Sequence, residues 1–185
     1  QGKKSAPAPA GFKSFPHPEV PAMIQGVMER QQYVTKHFWD AFFDLEGPCD
    51  SSSILAVKKD EVEQNLSAYI GLLNMQPVGQ AQKNIADFFS ALETRQAKDE
   101  KSLLYLQLTE LVAKYLYDPN SPLRSEDLYL PFVEGMVNSR FTAADKMAAY
   151  RFELEKCRLN PYGSIAPDFR FKDIKGRVSS LHKQK

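Results

Sequence analysis

Few residues in this chain could do chemistry at neutral pH. There are two cysteines, Cys49 and Cys157, and three histidines, His17, His37 and His182. Cys49 stands in the loop Gly47-Pro48-Cys49-Asp50-Ser51. An exposed thiol there is a candidate reactive group, yet no cation flanks it in sequence to depress its pKa. Cys157 falls on the apolar side of a helical segment, where a cysteine packs as a small inert hydrophobe. The two are far apart and form no Cys-x-x-Cys. A disulfide between them needs an oxidising compartment and a geometry that spacing alone does not fix.

His37, Asp40 and Asp44 recur at i, i+3 and i+7. This spacing could gather metal ligands, but it also describes a polar stripe beside a core, and no metal or other cofactor is expected. Tyr33, His37, Trp39, Phe42 and Phe43 either line a ligand groove or anchor a helix in the core. Asp118, Asn120, Arg124 and Glu126 cluster about a proline-rich turn. They either face a partner or lock two helices together, with Arg124 paired to Asp118 across the turn or to Glu126 nearby. His17 and His182 have no identifiable partner. Gly-x-Ser-x-Gly, the Gly-x-x-x-x-Gly-Lys phosphate loop and Gly-x-Gly-x-x-Gly are all absent.

Composition narrows the rest. The 185 residues carry 24 Lys+Arg against 23 Asp+Glu, a net charge of +1. That balance argues against duplex nucleic acid, whose phosphates need a basic face. An apolar fraction of 43% supports a packed core. No apolar run reaches the roughly 20 residues of a membrane span. Two cysteines are too few for a disulfide scaffold or a four-cysteine zinc site.

The elements that must position these residues are helices. Gln1 to Gly11 is rich in Pro, Ala and Lys and reads as a flexible linker. Lacking both an initiator Met and an apolar signal region, this start suits a mature exported chain, and equally a trimmed chain with an ordinary unstructured terminus. Phe12 to Pro21 should run extended, pinned by Phe12 and Phe15. The 3.6-residue period then predicts about six helices. The first covers 21–45, with Ile24, Val27, Val34, Phe38, Ala41 and Leu45 inward, and the loop Cys49 to Ser53 follows it. The next three cover 60–76, 80–97 and 99–117, the last with Asp99 and Glu100 in its first turn. Ser121 and Pro122 open the fifth, which Pro131 should kink or break. The sixth covers 142–159, with Thr142 as cap. Asp168 to Lys172 and Arg177 to Leu181 alternate like the strands of a hairpin about Asp173 to Gly176. Its rings Phe169 and Phe171 share one side and should dock on the helices or pair with another molecule. The fold expected is all-α: an irregular bundle of antiparallel helices with a short C-terminal β-hairpin.

The run Tyr162-Gly163-Ser164-Ile165-Ala166-Pro167-Asp168-Phe169, then Phe171, Asp173, Gly176 and Leu181, resembles the opening of a thioredoxin-like domain of the peroxiredoxin-like and TlpA-like branch. That branch begins with Gly-x-x-Ala-Pro-Asp-Phe and a hairpin closed by Asp-x-x-Gly. Two further runs, Tyr33-Val34-Thr35-Lys36-His37-Phe38-Trp39-Asp40 and Tyr115 through Glu126, resemble an uncharacterised helical domain. That domain precedes thioredoxin-like domains in cell-envelope proteins of the Bacteroidetes. The helical resemblance covers about residues 12–160 and the thioredoxin-like one about 162–182. Together they imply a linker and extended segment over 1–19, a helical domain over 20–160, and the start of a thioredoxin-like domain over 161–185.

A thioredoxin-like oxidoreductase needs a Cys-x-x-Cys after the strand that follows this hairpin, and this sequence contains none. The resemblance therefore implies a non-catalytic helical accessory or binding domain of an envelope thiol-disulfide protein. It would be periplasmic or otherwise exported, carry no membrane span of its own, and be compatible with a lipid anchor. The expected partner is a protein or peptide in the envelope, and no nucleic acid. A structural or oligomerisation module, or an enzyme using Cys49, are the competing readings.

Overall fold

The computed structural model describes residues 11–183. The linker expected over Gln1 to Gly11 lies outside them except for Gly11. From there the chain runs extended past Pro16, Pro18 and Pro21. Lys13 N donates to Ala56 O at 2.9 Å and Phe15 N to Glu61 Oε1 at 2.8 Å. Phe15 is buried, but Phe12 is exposed with the Lys58 ammonium over its ring. One ring pins this segment, not two.

Helices α1 (Val27–Lys36) and α2 (Asp40–Phe43) follow. A small antiparallel pair comes next, β1 (Ser53–Ile54) with β2 (Val57–Lys58), Ile54 opposite Val57. Then come α3 (Lys59–Asn74), α4 (Val78–Lys98), α5 (Leu104–Leu116), α6 (Glu126–Asn138) and α7 (Ala144–Cys157). A hairpin of β3 (Arg170–Lys172) and β4 (Val178–Ser180) ends the described chain, before one turn of 3-10 helix. The result is a helical bundle with a C-terminal hairpin. α4 packs most closely on α6, and α6 on α7.

Aromatic rings hold the centre. Trp39 meets Phe88 at 4.8 Å between centroids. Phe132 of α6 meets Phe89 edge-on at 5.0 Å and stacks near Phe88. Each such ring adds specific contact energy to its burial. The heptad-like positions Val62, Leu66, Tyr69, Ile70 and Leu73 of α3 are buried, as are Ile85, Phe88, Phe89 and Leu92 of α4.

Several boundaries differ from the sequence reading. The first helix starts at Val27, not Pro21, and Met23 and Val27 are exposed. It breaks at His37–Trp39, where Asp40 N turns back to His37 O. The break lets Thr35, Phe38, Trp39, Phe42 and Phe43 all enter the core. α5 starts at Leu104, which leaves Asp99 and Glu100 outside its first turn. Buried Gln96 organises that connection: its amide nitrogen donates to the carbonyls of Asp99, Glu100 and Ser102, and its oxygen accepts from Tyr105 N.

α6 starts at Glu126, capped by the Ser125 hydroxyl on Leu128 N. Ser121 and Pro122 belong to the preceding turn. α6 also runs unbroken through Pro131. Proline leaves the carbonyl four residues back without its helical donor, and Gln82 Nε2 of α4 donates to that carbonyl, Asp127 O, at 2.9 Å. α7 starts at Ala144, and Thr142 bonds Met136 O instead of capping it.

The loop after Gly47 holds the β1–β2 turn, which periodicity did not predict. Leu55 and Ala56 sit there at φ 50° and 64°, a left-handed conformation costing about 1–2 kcal/mol per non-glycine residue. Burial of the Leu55 side chain helps offset it. Leu55 N donates to Cys49 Sγ and Ala56 N to Pro48 O.

The C-terminal hairpin forms about the expected turn, with Phe171 opposite Ser179. Gly176 takes the positive φ that its turn requires. Phe169 and Phe171 lie side by side, 6.1 Å between centroids. They do not dock on the helices: Phe169 is 58% exposed and Ile174 and Val178 face solvent.

Candidate functional site

The turn between α5 and α6 is wired locally. Asp118 Oδ1 accepts from Asn120 N at 2.8 Å. Ser121 Oγ donates to Tyr115 O at 2.6 Å. Asp118 does not pair with Arg124; the guanidinium bonds Glu126 at 2.5 Å instead and lies over the Tyr117 ring. The shorter separation, Arg124 to Glu126, wins because both sit beside the start of α6. Asp118, Asn120, Arg124 and Glu126 all face solvent.

Under this turn runs a column of polar groups in a buried setting. Tyr117 stacks on Tyr129 at 4.9 Å, and the Tyr129 hydroxyl donates to Glu153 Oε2 at 2.7 Å. Burial raises the Glu153 carboxyl pKa, against the lowering effect of that hydrogen bond. Burial, then the neighbouring Glu126 and Glu153, pushes the Cys157 thiol up to about 11. A thiol held there is protonated at neutral pH and is a poor nucleophile.

Cys49 is half-buried at the other end of the fold, and both cysteines are free, so the Cys49–Cys157 disulfide is not formed. Asp50 beside it accepts from the backbone and hydroxyls of Ser52 and Ser53, which lower its pKa. Gln107 Nε2 donates to the Asp50 carbonyl.

The aromatic cluster of the first helix divides. Trp39, Phe42 and Phe43 are core. The half-buried Tyr33 and His37 rings meet at a tilt, 4.4 Å between centroids, and His37 Nδ1 meets Asp40 Oδ2 at 2.7 Å. Asp44 is an exposed cap of α2 and joins neither. Among the described residues no three His, Cys, Asp or Glu side chains are placed to hold a metal.

Tyr33 lines an open cleft of about 700 Å³ between α1 and the α3–α4 corner. The sequence reading missed its floor, an amide network. Asn84 Nδ2 donates to Gln76 Oε1 at 2.8 Å, and the Tyr69 hydroxyl to Asn84 O at 3.2 Å. The available signal was a polar Asn84 one position before Ile85 on an otherwise apolar face. Among the described residues, no helix is long and apolar enough to cross a membrane.

Comparison with known proteins places these features in context. A family model described as Domain of unknown function (DUF5106) matches residues 1–160. Among solved structures, a thioredoxin-like protein from Bacteroides caccae ATCC 43185 matches with a TM-score of 0.74 and 29% identity. The match covers 92% of this chain, which spans 57% of that protein's length. No curated protein matches.

Proposed function

We propose, from the premise that this chain belongs to the DUF5106 family and is similar to a thioredoxin-like protein, that it serves as a non-catalytic accessory domain of an envelope thiol-disulfide protein. Residues 20–160 form the helical domain, which holds a protein or peptide partner, and 161–185 open a thioredoxin-like domain. Residues 1–19 lead into it, and the whole is exported to the periplasm or cell envelope, where a lipid anchor suits its position.

The observation that carries this reading is the state of the thiols. The sequence has no Cys-x-x-Cys, and Cys157 is buried with its pKa pushed up to about 11. Thiol-disulfide exchange needs an accessible thiolate and usually a resolving thiol nearby. The exposed apolar side chains of the final hairpin, Phe169, Ile174 and Val178, suit a sheet edge continued by further strands. An insulin-reduction assay on this chain should run no faster than free cysteine. A rate above that background, lost in Cys49→Ser, would replace this reading with the single-cysteine enzyme.

A further inference from the structure

The helices of the body do not share the core equally. α4 buries Ala81, Ile85, Phe88, Phe89 and Leu92, and α5 buries Leu104, Leu108, Leu111, Val112 and Leu116. α7 buries only Leu154 and Cys157, with Tyr150 half-buried against the core. Its Phe152 is 58% exposed, and most of its other side chains face water. α3, α4 and α5 each pack on several elements, whereas α7 packs chiefly along α6. A helix with few buried apolar contacts and one main neighbour opens at a lower free energy than the core beside it.

The two ends of α7 are held differently. Its start is tied to the body. Thr142, just before it, donates to Met136 O at 2.6 Å and meets the Tyr105 hydroxyl at 2.8 Å. Its far end rests on Leu154, Cys157 and two polar links. The Tyr129 hydroxyl donates to Glu153 Oε2 at 2.7 Å, and Arg158 pairs with Glu134 at 2.7 Å. That ion pair is exposed and so contributes little. Past α7, Tyr162 N donates to Asp127 Oδ1 at 2.9 Å, and the hairpin does not dock on the helices. Opening also has a gain: burial disfavours the ionised Glu153 carboxylate, which returns to water once α7 leaves α6.

We propose that α7 is a hinged arm that swings off α6 about the turn over 139–143 while α3 to α6 stay folded, baring Cys157 and moving the hairpin that α7 carries. The arm makes the thiol conditional. With α7 shut, Cys157 is 3% exposed and protonated at neutral pH. With α7 open, it is an ordinary solvated thiol that reacts through its thiolate.

The test uses the Cys49→Ser chain, in which Cys157 is the one remaining thiol. Labelling by dithiobis(nitrobenzoate) and amide hydrogen exchange are followed below the urea concentrations that unfold the body. Cys157 should react at least about tenfold faster than global unfolding allows, and α7 amides should exchange faster than the slowest amides of α4 by a similar factor. Leu154→Ala should speed labelling at least about tenfold further. Ile85→Val trims a buried side chain of α4. It should speed exchange of the slowest α4 amides and leave Cys157 labelling unaltered, because the packing at residue 85 is the same with α7 shut or open. Labelling that tracks global unfolding, equal exchange in α7 and α4, unaltered labelling in Leu154→Ala, or labelling that rises with α4 exchange in Ile85→Val would each overturn the inference.

Discussion

The helical body and the final hairpin solve the same problem in opposite ways. Phe132 is fully buried between α4 and α6, with Phe88 and Phe89 against it. Phe169 is as large and apolar a ring and lies just before β3, yet more than half its surface faces water. A helix completes its backbone hydrogen bonds internally and needs only a face to pack. A hairpin leaves its edges open and is marginal without further strands. Apolar sequence is thus sufficient for burial only where a neighbour of matching shape is present.

The largest test of that contrast is a pair of truncations. Phe132→Ala should cost about 3–5 kcal/mol and Phe169→Ala under about 0.5 kcal/mol, both read by urea denaturation. Equal losses would mean that the hairpin is packed after all. Gly135→Ala comes next. A Cβ there would meet the Phe89 ring 2.5 Å away, so overpacking should cost about 1–3 kcal/mol. A wild-type melting curve would show that Phe89 can step aside.

Ser125→Ala removes the α6 cap and should cost about 1 kcal/mol. Arg124→Ala, by contrast, breaks only an exposed pair and should cost under about 1 kcal/mol by the same melt. If Arg124→Ala proved the worse of the two, the turn would depend on its ion pair and not on the cap.

The smallest effect concerns Glu153. Its pKa is raised in the folded state, so the folded chain keeps a proton that the unfolded chain has released. Stability from this group is therefore lost as pH rises from the ordinary carboxylate range towards the raised value. Glu153→Gln keeps an acceptor for Tyr129 but has no proton to lose. It should be more stable than wild type at neutral pH by under about 1 kcal/mol after solvent screening, and the two should converge in acid. A constant difference across pH would exclude titration as the cause.

Particular residues mark what was legible. The spacing of Val62, Leu66, Tyr69, Ile70 and Leu73 predicts α3 and its buried face, because the helical period acts on neighbours in sequence. The Asp173–Gly176 turn was equally readable, since Gly176 supplies a positive φ. The break at His37–Trp39, the late start of α5 and the intact helix through Pro131 were not. Each depends on a partner remote in sequence or on packing of the core: Phe15 and Tyr69 around Trp39, and Gln82 on Asp127.

The cleft follows the same division. Tyr33 could be singled out by type, but Gln76 and Asn84 joined it only when the α3–α4 corner was laid beside α1. The helical class and the hairpin could be read from the sequence, because periodicity and turn chemistry are local. Tertiary packing alone set that Cys49 is half-buried, that Arg124 pairs with Glu126 and not with Asp118, and that Gln76 and Asn84 meet Tyr33 in one cleft. Burial, desolvation and convergence are properties of the space between segments, which no single segment encodes.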